Sequence, residues 1–99
     1  MRLSWFDAKE AKAFGESLAR FCIERTSKDM PNIDKKAVAK KQEELLNKMA
    51  LQVDQFKQTH KLNIYKKAQL GNVFKWTLRE AGYDSAYIDR LTNWLMVRF

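Results

Sequence analysis

Apolar side chains recur at three- and four-residue spacing in four separate stretches of this chain, and that spacing is the period of an amphipathic helix. In the first stretch Ala11, Phe14, Leu18, Phe21 and Cys22 share one side, which predicts a helix over about residues 5–25. Ser4 and Asp7 both suit its N-cap, and Asp7-Ala8-Lys9-Glu10 has the form of a capping box with Asp in place of Ser or Thr. Beside the stripe, Ala11, Gly15 and Ala19 form a row of small residues. A glycine inside a helix costs ~1 kcal/mol against alanine. Gly15 is therefore expected either to let a neighbouring helix come close or to be a tolerated surface residue.

Residues 27–33 read as a connector, because Pro31 biases Met30 away from helix and Asn32 or Asp34 can cap the next helix. That second helix is expected over 35–59, with Val38, Gln42, Leu45, Met49, Val53 and Phe56 on its inward stripe and Leu46 on the flank. At the α-helical rise it spans about 38 Å, the longest element of the chain. After a short turn capped by Asn63, a third helix covers 64–81, with Ile64, Ala68, Gly71, Phe74, Leu78 and Ala81 as its core face. Gly82 then stands at the C′ position, with the apolar Tyr83 after it, the order of a Schellman stop. Asp84 or Ser85 caps a fourth helix over 85–98, on which Tyr87, Ile88, Leu91, Trp94 and Leu95 form a broad apolar face. Nothing reads as a strand. The pattern defines an all-α fold, a compact bundle of four helices in which chain neighbours pack antiparallel or as angled hairpins. The last two are joined by a tight turn at Gly82.

Length and composition set the scale of that bundle. Ninety-nine residues, 45% of them apolar, make one globular domain over 1–99. A chain of this size supports one core and little room for a deep cofactor cavity. The single cysteine, Cys22, permits no intrachain disulfide. The first residues carry no apolar run of the signal-peptide kind, and no stretch approaches the length of a membrane span. The expected location is therefore cytoplasmic.

The net charge of +7 is unevenly placed. Residues 1–34 are neutral, with six basic and six acidic side chains. Residues 35–67 set nine lysines against Glu43, Glu44 and Asp54 and so hold +6. Residues 68–99 hold only +1, yet they contain Phe74, Trp76, Tyr83, Tyr87, Trp94 and Phe99. Basic surplus and aromatic surplus therefore occupy different parts of the chain.

Little in the inventory suits catalysis. His60 and Cys22 are the only residues of their types, so there is no second His or Cys from which to build a metal set, and neither stands where an acid–base pair is expected. Cys22 falls on an inward stripe, where a free thiol behaves as a small hydrophobe. His60 stands at a helix end, where it favours the terminal carbonyls, and no acid lies three or four residues from it. The expected protein is not an enzyme and holds no cofactor or metal.

Two features point to binding instead. On the third helix Tyr65, Val73 and Trp76 project opposite the core face, around Gln69, and the fourth adds Tyr87 and Trp94. A helix apolar on two sides is usually buried on two sides. If another helix leaves that second face open, Tyr65, Gln69, Trp76, Tyr87 and Trp94 have the composition of a docking surface for a protein partner or a second copy. The second feature is basic. Lys36, Lys40, Lys41, Lys48, Lys57 and Lys61 spread over the solvent side of the second helix, where a nucleic acid or other polyanion could be held. The hairpin at 77–92 also resembles a DNA-binding helix-turn-helix in spacing, with Ala81, Gly82, Tyr83, Ile88 and Leu91 at suitable positions. It departs from that motif at Leu78, where a small residue is usual, and in presenting Asp84 and Asp89 toward would-be phosphates. Peripheral membrane binding through Trp5, Phe6 and the basic helix is the weakest expectation, since residues 1–34 carry no net charge.

Overall fold

Helix α1 (Lys9–Asp29), α2 (Lys35–Thr59), α3 (Ile64–Glu80) and α4 (Ser85–Met96) succeed one another along the chain, with no strand among the described residues. A computed structural model describes residues 8–29 and 35–99, with side chains described for 8–26 and 40–99. The architecture is an all-α four-helix bundle.

The elements begin and end close to where their sequence signals stand, with α1 the exception. Its first turn is closed by the Lys12 amide donating to the Ala8 carbonyl at 2.8 Å, so the helix starts later than the expected residue 5. The proposed caps Ser4 and Asp7 lie outside the described residues. At its other end α1 runs on to Asp29, into what was expected to be connector. Nothing in Ser27-Lys28-Asp29 breaks a helix; the first restricted position is Met30, before Pro31. Pro31, Asn32 and Asp34 themselves lie outside the described residues. The bounds of α2 match the expected 35–59.

The turns that order α3 and α4 are built as their residues demand. Asn63 Oδ1 accepts from the Lys66 amide at 2.8 Å, capping α3. The Gly82 amide donates to the Arg79 carbonyl and the Tyr83 amide to the Leu78 carbonyl, the two bonds of a Schellman motif. Gly82 has φ +92°, a conformation open to glycine and costly to a residue with a Cβ. Asp84 Oδ2 then accepts from the Ala86 and Tyr87 amides at 3.1 and 3.2 Å and caps α4.

All four helices feed one core. Leu18, Cys22, Met49, Val53, Phe74, Leu78, Ile88 and Leu95 are wholly or almost wholly buried in it. The tightest seam joins α1 to α3, which are not chain neighbours, and α3 to α4 comes next. The small-residue row makes the first seam: Ala11, Gly15 and Ala19 are all buried, and a Cβ on Gly15 would sit 2.5 Å from the Leu70 carbonyl oxygen. Of the two roles open to Gly15, close helix approach is the one realised. The larger side chains on the flank of α1 turn toward α2. Phe14 stacks on Phe56, and Phe56 on His60, each pair with ring centroids 4.2 Å apart.

On α3 the core face is rotated from the expected stripe. Gly71, Phe74 and Leu78 are buried as expected and Leu70 joins them, whereas Ile64 is 82% exposed and Ala68 and Ala81 also face solvent. The Gly15 crossing at Leu70 fixes this orientation, and Ile64 and Ala81 stand at the two ends of the helix, beyond the crossing. On α4, Ile88, Leu91 and Leu95 are buried, joined by Thr92, whose hydroxyl is satisfied by the Ile88 carbonyl at 2.7 Å.

Candidate functional site

The second apolar side of α3 is divided. Tyr65 is half-buried and packs against the core, and Val73 is half-buried, as is Gln69. Trp76 is left 59% exposed, with no helix among the described residues covering it. On the helical wheel Trp76 falls opposite Phe74 and Leu78, so burial of those two turns it outward. The Arg79 guanidinium lies 5.7 Å from the Trp76 ring centroid, within cation–π range. Trp76 and Arg79, with Asn72 and Lys75, line a shallow depression on the outer face of α3.

Tyr87 and Trp94 belong to a different surface. They line a mostly apolar groove between α2 and α4 with Gln42, Leu46, Arg90 and Leu91. Both are half-buried, and Arg98 stacks over Trp94 at 4.4 Å. Of the five residues proposed from sequence, Trp76 lines one surface and Tyr87 and Trp94 another, with no lining residue in common, while Tyr65 and Gln69 line neither.

A polar seam behind the groove went unseen in the sequence. The Thr26 hydroxyl donates to the Cys22 carbonyl at 2.8 Å and is bonded also to the Tyr83 hydroxyl. Since the single Thr26 proton is committed to Cys22, Tyr83 is the donor of that second bond. Tyr87 stacks beside Tyr83 at 5.8 Å and donates to Gln42 Oε1 at 3.3 Å. The Cys22 thiol neighbours the Tyr87 hydroxyl. Burial pushes the thiol up to about 11, opposed by the Tyr87 hydrogen bond. Burial likewise pushes the Tyr87 phenol up to about 12, aided by the neighbouring Cys22. Both groups are therefore neutral at ordinary pH, and Cys22 is a buried, protonated thiol without nucleophilic character.

His60 has an acidic neighbour that its own helix could not supply. Its Nε2 lies 3.1 Å from Glu10 Oε1 on α1, and its Nδ1 lies 2.8 Å from Thr59 Oγ1 and 3.3 Å from the Phe56 carbonyl. The pair sits at the rim of the aromatic stack. Among the described residues no three His, Cys, Asp or Glu side chains are grouped as a metal site would require.

The lysines of α2 divide by neighbourhood. Lys41 and Lys48 line a cleft between α1 and α2 together with Arg25, Thr26, Gln42 and Glu44. Lys40 and Lys61 are exposed, and Lys57 donates to the Arg98 carbonyl at 2.6 Å, holding the end of α4. The side chain of Lys36 lies outside the described residues. No helix in the described residues is long and apolar enough to cross a membrane. No family model, curated protein or solved structure matches the chain.

Proposed function

We propose that this chain is a non-enzymatic interaction module that docks a protein partner through the outward aromatic surfaces of α3 and α4, with Trp76 as the anchor. The observation that carries this reading is the 59% exposure of Trp76, when every other aromatic ring among the described residues is buried or half-buried. Tryptophan and arginine side by side are the residue types that dominate binding energy at protein interfaces. A second copy of the chain is a poor occupant, because a two-fold contact would set Lys75 and Arg79 against the same cations of its partner. A photoreactive amino acid at position 76 is the direct test. A discrete adduct with another polypeptide, absent when the probe sits at Ser17 on α1, is the expected result. A monomeric chain that gives no adduct from position 76 in living cells retires the reading.

A second reading rests on the cations. Arg25, Lys41 and Lys48 converge on one cleft, which they share with Glu44, and Lys40 and Lys61 are exposed outside it. Such a surface favours polyanions without reading their sequence, with affinity that falls steeply as salt rises. The 77–92 hairpin adds little to it, since Asp84 and Asp89 are both exposed on its second helix. A duplex that shows no mobility shift at low salt excludes this alternative.

A further inference from the structure

We infer that the Trp76 depression accepts an acidic protein segment bearing one apolar anchor residue, which rests on the docking reading above and specifies the partner's chemistry. Charge comes first. Helix α3 carries Lys66, Lys67, Lys75 and Arg79 against the single acid Glu80. The depression itself is lined by two cations, an amide and an indole, with no carboxylate. Lys75 does face Asp89 of α4, but at 3.9 Å between two solvent-exposed side chains. A pair that long in high dielectric contributes little and yields readily to a better-placed carboxylate. Arg79 has no carboxylate within ion-pair distance among the described residues, and its planar fork suits bidentate capture of one.

The apolar half of the site separates an acidic polypeptide from a nucleic acid strand. Proteins that hold single strands stack successive bases on several aromatic rings. The large hydrophobic side chains exposed among the described residues are Leu51, Ile64, Trp76 and Val97, and Trp76 is the one aromatic in that set. Tyr87 and Trp94 lie in the other groove. One indole framed by cations instead matches an interface with a central apolar contact and a charged rim. Charge complementarity would also set the rate of encounter and make it sensitive to salt.

The test is selection of short random peptides, displayed in a library, on the intact chain, with the selected peptides then titrated while observing the Trp76 indole N–H by NMR. The expected peptides carry Asp and Glu around one Leu, Phe or Trp. Their binding should fall about tenfold or more with Trp76→Ala, and comparably with Lys75→Glu combined with Arg79→Glu. None of these side chains belongs to the core, so the helical signal should persist, and a melting curve of each variant separates lost binding from lost folding. Peptides that need Trp76 but are neutral or basic, and ignore the charge reversals, overturn this inference and leave the docking surface standing. Peptides indifferent to Trp76→Ala, or no enrichment at all, remove both. An oligothymidylate that binds at the Trp76 indole more tightly than any acidic peptide overturns the inference in favour of a nucleic-acid strand.

Discussion

The α-carbon of Gly15 packs so closely on Leu70 that an added methyl group would lie 2.5 Å from the Leu70 carbonyl oxygen. That neighbour is main chain and cannot swing aside. On a free helix Gly→Ala stabilises by ~1 kcal/mol. Here Gly15→Ala should instead lower stability by about 1–3 kcal/mol, the usual range for overpacking, as α1 and α3 are forced apart. At Gly71 the nearest atom to an added Cβ is Met96 Sδ at 2.9 Å, the flexible part of a side chain. Gly71→Ala should therefore be close to neutral. Urea unfolding of the two variants decides the matter, and equal effects would contradict this account of the seam.

Stability should decline in alkali for a specific reason. Unfolding returns the Cys22 thiol to its ordinary value of 9.0 and the Tyr87 phenol to 10.0, whereas the fold holds them at about 11 and about 12. Below pH 9 both states keep these protons and the contribution is intact. Above it the unfolded chain releases protons that the folded chain retains, so stability falls with rising pH, from 9 to 11 for the thiol and from 10 to 12 for the phenol. For the fully buried thiol the loss is on the order of 2–3 kcal/mol. Melting curves at successive pH values should show this slope, and Cys22→Ala should remove its lower part. An alkylating reagent should leave Cys22 untouched until the protein unfolds.

The turn between α3 and α4 offers a third check. Gly82→Ala meets open space but must hold φ at +92°, so the expected loss is about 1–2 kcal/mol, with Gly82→Asn milder. Asp84→Ala releases the Ala86 and Tyr87 amides and should cost about 1 kcal/mol. Thermal unfolding of the three variants tests the ranking. Gly82→Ala as stable as the parent chain would contradict the Schellman geometry.

Phe56 and Glu10 both touch His60, but for different gains. Phe56 is half-buried between Phe14 and His60, so Phe56→Ala should destabilise by roughly 2–3 kcal/mol, short of the fully buried range. Glu10 is exposed at the end of a surface pair, and Glu10→Gln should move stability by less than about 1 kcal/mol. A large effect of Glu10→Gln on the melting temperature would show that the carboxylate, and not the ring stack, fastens α1 to α2.

What was legible in the sequence was local. The bounds of α2, the Asn63 and Asp84 caps and the Gly82 stop all rest on signals within a few residues, and each stands where those signals put it. The inward stripe of α2 was equally plain, with Leu45, Met49 and Val53 buried. The orientation of α3 was harder, because its apolar residues are compatible with more than one face. The Gly15 crossing that selects Leu70 over Ile64 is a contact between distant segments. The same limit hid the candidate surfaces. Period alone grouped Trp76 with Tyr87 and Trp94, while packing sends them to different sides of the bundle. The bond from Thr26 to Tyr83, and the approaches of Cys22 to Tyr87 and of Glu10 to His60, join residues that no spacing rule relates.

The two sides of α1 are joined to the rest of the molecule in unlike ways. Toward α3 it offers Ala11, Gly15 and Ala19, which leave hardly any rotamers to reshuffle; toward α2 it offers flat rings that can slide or part. Slow breathing of the native protein should then begin with α2 lifting away as a strut, exposing its amides to exchange while the α1–α3 plate stays shut.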